Sequence, residues 1–285
     1  MSALYFVGTG TPTPTKSRFG TCYILQVGDE FLMFDCGPAA THKLVKMGLF
    51  PTQIDYLFFS HHHFDHNADY PCFLLCRWDQ SIGRENILQV WGPPPTAWIT
   101  EHLIGPQGAF NHDWRARVGH PGSQEIFAKR GGALPRPAPK VTVADIQSGD
   151  VIRKGPWTVT AAKTQHIDPW MPTLAYRIDF KGQRIVIAGD TGDCPSVLAL
   201  AEDADTLLMH CWDHQEGMQK NEAAMISGTI ATARLAQKAG VHRLILAHQG
   251  PNLDRPGSRE KAVADISRIF DGEIIFAEES LILEI

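Results

Sequence analysis

Residues 57–70 read "LFFSHHHFDHNADY", an apolar run followed by four histidines and two aspartates within ten positions. The run "IDYLFFS" predicts a strand, which places the polar cluster at a strand end. Side chains alternate along an extended segment, so His61 and His63 point to one side while His62 points away. If the chain then bends, Asp65 and His66 turn toward a second point close by. The spacing His-x-His-x-Asp-His therefore offers two pairs of ligands to two adjacent metal ions. A solvated, histidine-rich loop is the plain alternative.

The chain has 285 residues and 44% hydrophobic content, enough for one large domain or two small ones with a sizeable core. "ALYFVGTG", "CYILQVG" and "EFLMFDCG" are short apolar segments ended by glycine, as expected of strands joined by tight turns. "PAATHKLVKMGLF" and "GTIATARLAQKAG" predict helices, and "TLAYRIDF", "KGQ" and "RIVIAGD" a hairpin. Alternation on this scale implies layered α/β packing around sheets. Lys+Arg minus Asp+Glu gives 26 − 31 = −5, so no basic field advertises a nucleic-acid partner, although a local patch stays open. The start "MSALYFVGTGTPTP" has no basic leader, and no stretch approaches a membrane span, which gives the expectation of a soluble, cytoplasmic protein. The six cysteines, at 22, 36, 72, 76, 194 and 211, are too sparse for a disulfide framework. Cys72 and Cys76 read as buried core residues rather than half of a zinc site.

"SHHHFDH" resembles the signature of the metallo-β-lactamase superfamily. "TQHIDP", "IAGDTGD" and "LILAHQG" then supply His166, Asp190 and His248, each closing an apolar run. The resemblance implies a four-layer αββα sandwich, with residues 1–285 as one domain. It also implies a seven-ligand centre for two Zn²⁺ ions: His61, His63 and His166 on one, Asp65, His66 and His248 on the other, and Asp190 between them. The same donors accept Mn²⁺ or Fe. Asp35 in "FDCG" reads either as a residue that orients a ligand histidine through its other ring nitrogen or as a cap of the turn before Gly37.

"VGTGTPTPTKSRFGTCYIL" and "ISGTIATARLAQKAGVHRLILAHQGP" are similar to the branch containing ribonuclease Z, the phosphodiesterases and the arylsulfatases. Three departures from ribonuclease Z stand out. Only 23 residues lie between His166 and Asp190, too few for a tRNA-gripping arm. The His-Glu-Ala-Thr position holds His210, Cys211, Trp212 and Asp213, so its glutamate is missing. The Gly-His-Ser-Thr position holds Ile226, Ser227, Gly228 and Thr229, so its histidine is missing too. The crowded loop "HCWDHQEG" offers a replacement, with His214, or else His210, as proton donor; a solvated loop is the alternative.

The expected function is hydrolysis of a small-molecule ester, whether phosphodiester, aryl sulfate or lactone. Two zinc ions would share a water and lower its pKa, with Asp65, His214 and His210 as the catalytic candidates. The alternatives are a metal-binding protein without catalysis and, with less support, a tRNA 3′ endonuclease. Nucleic acid and membrane are not expected as partners. The stretch at about 97–140, Gly/Pro-rich and following Trp78 and Trp91, is read as a lid or a homodimer contact containing Trp98 and Trp114; plain packing against the sheet is the alternative.

Overall fold

The computed structural model describes residues 2–82 and 87–285, and among these the strands fall into two seven-stranded sheets. Numbered along the chain, the first sheet holds β1 (Ser2–Thr9), β2 (Thr21–Val27), β3 (Glu30–Phe34), β4 (Tyr56–Phe58), β5 (Leu88–Gly92) and β6 (Val141–Asp145), with β14 (Ile282–Glu284) outside β1. The second runs from β7 (Val151–Lys154) through β8 (Trp157–Lys163), β9 (Leu174–Phe180), β10 (Gln183–Ile187), β11 (Thr206–His210) and β12 (Arg243–Ala247) to β13 (Glu273–Phe276). Strands β3 to β6 are parallel to one another, as are β10 to β13. The remaining pairings are antiparallel.

Alternation along each strand decides which layer a side chain enters. Tyr23, Leu25 and Val27 of β2 face the other sheet, whereas Cys22 and Ile24 face helices α1 (Ala40–Lys46), α3 (Tyr70–Gln80) and α4 (Thr96–Ile104). On the far side, Ile185 and Ile187 of β10 join the inter-sheet core. Val186 and Ala188 pack under α7 (Pro195–Ala201), α9 (Thr229–Ala239) and α10 (Ser258–Ser267). Both faces of these strands are dry, which is why they read as continuous apolar runs. Three cores separate four layers, helix, sheet, sheet, helix, as the family resemblance implies. Phe34 and Phe58 stack at 5.3 Å between the sheets, and Trp157 lies edge-on to Tyr56 at 4.8 Å. Burying each such ring stabilises the sandwich by about 1.5–3 kcal/mol.

The β9–β10 hairpin turns through Lys181 and Gly182, both at positive φ, in the two-residue loop that suits twisted strands. It takes up residues 174–187 of the interval between His166 and Asp190, after a loop over residues 167–173. The stretch 97–140 forms α4, α5 (Asn111–Gly119) and α6 (Pro121–Lys129). Asp79, near the end of α3, clasps it: Arg136 reaches the carboxylate at 2.7 Å, Arg130 at 3.0 Å and Arg117 at 3.6 Å. Trp78 and Phe127 cover the Arg136 guanidinium at 4.1 and 4.8 Å.

The core assignment of Cys72 and Cys76 is wrong. Helix α3 buries Tyr70, Phe73, Leu74 and Arg77, so the i,i+4 pair shares the opposite face: Cys72 is exposed and Cys76 half-buried, their sulfurs 4.0 Å apart. Among the described residues no helix is long and apolar enough to cross a membrane.

Candidate metal centre

Every residue of the candidate centre follows the carboxyl end of a strand. Asp35 follows β3, the histidine cluster β4, His166 β8, Asp190 β10 and His248 β12, while His210 ends β11. Parallel strands direct loops to a common edge, and two facing sheets bring their edges together. The cluster loop bends through the short helix α2 (Phe64–Asn67), which turns Asp65 and His66 back toward the strand end. Gly37 permits the fit, because a Cβ there would lie 2.2 Å from the Asp65 carbonyl oxygen and 2.6 Å from Thr21 N.

Three groups of side chains lie close enough to hold a metal: His61, His63, His166 and Asp190; Asp65, His66 and His248; and Asp190, His210 and His248, which overlaps the other two. The first two match the donor sets that the resemblance implies. In the first, His61 Nε2 lies 3.0 Å from His63 Nδ1, His166 Nε2 lies 3.4 Å from the same atom, and Asp190 Oδ2 is 3.5 Å from His166 and 4.0 Å from His61. In the second, Asp65 Oδ2 stands 3.1 Å from His248 Nε2 and 3.6 Å from His66 Nε2, with Asp190 Oδ1 3.6 and 3.8 Å from those two nitrogens. Ligand atoms around tetrahedral zinc are about 3.3 Å apart, so both sets have the right spacing. His66 Nε2 is buried and without a hydrogen-bond partner, as a metal-facing nitrogen would be. Burial, reinforced by the charge of His66, pushes His61 well below the usual histidine range and leaves it neutral, the state that ligates. Burial alone would raise Asp190, but the neighbouring imidazoles of His248 and His210 hold its carboxyl well below the usual carboxylate range.

Supporting groups set the opposite ring nitrogens. His66 Nδ1 bonds Asp35 Oδ2 at 2.8 Å, and Asp35 also accepts from Ser60 N and Ser60 Oγ, both at 2.7 Å. Burial acts against a charged His66, but the Asp35 carboxylate outweighs it and raises the imidazole to about 9. Asp35 thus has the orienting geometry, and both it and His248 hold left-handed backbone, at φ 61° and 49°. His61 Nδ1 meets Ser60 Oγ at 3.0 Å, and His166 Nδ1 donates to the Met225 carbonyl at 2.7 Å. Ser60 and Met225 escaped the sequence reading. A serine at the strand end beside the cluster was the available signal for the first; nothing local marks the second, which acts through its backbone.

His62 points away, as alternation requires, and lies 2.7 Å from Thr96 Oγ1 and 3.2 Å from Asn67 Nδ2. Burial lowers it to about 4. Of the two proton-donor candidates, His210 is at the centre, its Nδ1 against Asp190 Oδ1 and its ring stacked 4.4 Å from that of His248. Burial brings it down to about 4. His214 is not brought into either donor set; its Nε2 bonds Ser258 Oγ at 2.8 Å, at the start of α10.

The fold and this geometry have counterparts. A family model described as the beta-lactamase superfamily domain matches residues 31–249. Ribonuclease Z of Mycolicibacterium gilvum (strain PYR-GCK) is 29% identical over 98% of this chain and 94% of its own. That name stands against the expectation that nucleic acid is no partner. The metallo-β-lactamase fold protein YhfI from Bacillus subtilis superposes with a TM-score of 0.73 at 21% identity, covering 99% of this chain and 98% of its own. A diphosphatase from the PhnP family gives 0.69 at 14% identity, over 100% and 97%. With the family match spanning most of its length and His/Asp groups able to hold metal at the shared edge of two sheets, the chain belongs to the metallo-β-lactamase superfamily of metal-dependent hydrolases.

Proposed function

We propose that the chain is a dinuclear zinc hydrolase of a small-molecule ester, whether phosphodiester, aryl sulfate or lactone. One observation carries the nuclearity: the two oxygens of Asp190 face different donor sets, so one carboxylate serves both. In this reading His61, His63 and His166 hold one ion, Asp65, His66 and His248 the other, with Asp190 shared; Mn²⁺ or Fe fits the same donors. Metal ions held there would supply Lewis-acid chemistry, activating a water and polarising the electrophile. The chain's own part is to fix that geometry. Asp35 and Ser60 orient His66 and His61, while His210 donates from Nδ1 to Asp190 and holds the carboxylate in place. The buried ring of His210, neutral near pH 7, is better suited to this than to protonating a leaving group. His214 keeps that role only if its bond to Ser258 gives way.

Small substrates are favoured over RNA by the short β9–β10 hairpin, which leaves no room for an RNA-gripping arm, and by the net charge of −5. RNA cleavage is the second reading, favoured by the ribonuclease Z relative aligned over 98% of this chain. Zinc-loaded protein should turn over at least one of a panel of chromogenic phosphodiester, sulfate, phosphonate and lactone substrates. Two bound zinc ions with no turnover on any of them, nor on precursor tRNA, would favour a silent metal-binding protein instead.

A homodimer in the cytoplasm, with residues 97–140 as contact rather than lid in a single-domain chain, completes the proposal. It is supported by α5, which buries none of its residues, and by the exposed Phe110, Ile126 and Leu134. Light scattering that gives the monomer mass would reject the dimer.

A further inference from the structure

A cleft of about 1060 Å³ opens beside His166 of the first donor set. Ile167 and Trp170 line one side, and Pro195, Asn221 and Met225 are among the other lining residues. Trp170 is 89% exposed, the most exposed large apolar side chain among the described residues, yet its backbone is held. Trp170 N donates to the Ile167 carbonyl at 2.9 Å, Thr164 N donates to the Thr173 carbonyl across the loop at 3.1 Å, and the neighbouring Met171 Sδ accepts from His62 N at 3.4 Å. An indole presented to water on a held backbone, four residues from a metal-ligand candidate and lining the cleft that adjoins it, is placed where a flat ring can stack on it. Among the described residues lining the cleft the one Lys or Arg is Lys163, and it is paired with Asp168, so they form no free positive strip along a polyphosphate backbone. This arrangement suits a single ring better than a strand of RNA.

Resting on the hydrolase reading, we propose that this cleft selects esters carrying a flat aromatic substituent, which stacks on Trp170 while the ester group lies at the donor sets. Aryl and nucleobase rings share that chemistry. Trp170 is then a specificity-determining residue. The test is calorimetric binding to zinc-loaded protein, independent of turnover, with phenylphosphonate against cyclohexylphosphonate and adenosine 5′-monophosphate against ribose 5-phosphate. The aromatic member of at least one pair should bind about tenfold tighter, in line with the worth of one ring stacked on an aromatic side chain. Trp170→Ala should abolish the preference at unchanged zinc content, and Trp170→Phe should restore most of it. Preference in the nucleotide pair identifies a nucleobase, and preference in the phosphonate pair alone an aryl group. Equal binding within both pairs, or a preference that survives Trp170→Ala, would overturn the inference and leave the hydrolase reading intact. Failure of all four ligands to bind would overturn the inference, whereas the hydrolase reading falls only if the chromogenic panel is not turned over.

Discussion

Asp190 has the most contacts of any carboxylate at the centre, facing His61, His66, His166, His210 and His248. Asp190→Ala removes the one anion facing both donor sets, so on the dinuclear proposal two dications would confront each other with less compensation. At least one metal should be lost and turnover should collapse, checked by elemental analysis after saturation with zinc; two ions retained would argue against the shared position. Asp35 acts one bond further out. Asp35→Ala strips the acceptor from His66 Nδ1 and both Ser60 donors, and zinc affinity should fall by about 10–100-fold. His214→Ala should keep both metals and cost less than tenfold in rate on poor leaving groups. A loss of roughly 10²-fold or more at full metal content would restore His214 as the proton donor.

Secondary-structure elements, rather than single residues, fix where these side chains point. The cluster loop is tied to α4 through His62 and Thr96, whose hydroxyl donates to the Pro93 carbonyl at 2.6 Å. Helices α5 and α6 are tied instead to the end of α3 through Asp79. Removing that carboxylate leaves Arg136, only 4% exposed, as an unpaired charge between two rings. Asp79→Ala should therefore cost about 2–4 kcal/mol of stability, seen as a lower thermal midpoint, with zinc content and turnover kept within twofold. Loss of turnover in the folded variant would bring the 97–140 segment into the active site after all. The same logic explains Cys72 and Cys76: spacing placed them on one helix face, but which face turns inward was decided by Tyr70, Phe73 and Leu74 meeting the sheet.

At the scale of the whole molecule, the question is which substrate the open edge of the two sheets admits. The chain should not cleave precursor tRNA at its 3′ end under conditions in which it turns over a small phosphodiester. Efficient, site-specific cleavage would reverse that preference and move the chain to the activity of its ribonuclease Z relative. The sequence argued against RNA from net charge and missing helper residues. The relative's match across nearly the full length is the reason that argument is now a measurement to be made rather than an exclusion.

Strand runs such as "CYILQV" and "RIVIA", and the positions of seven potential ligands after them, were legible in one dimension, because burial on both faces writes itself as continuous apolarity and metal chemistry restricts residue type. The four-layer order was legible by resemblance to a family. What the sequence could not contain is distance. That the two oxygens of Asp190 face different histidine sets, that Ser60 and the Met225 carbonyl fix ring nitrogens, and that His214 turns to Ser258 while His210 turns to Asp190 all depend on residues far apart in the chain, such as His61 and Asp190, meeting in the fold. Local spacing can specify which atoms are able to bind a metal, but only the packing of two sheets decides which of them converge.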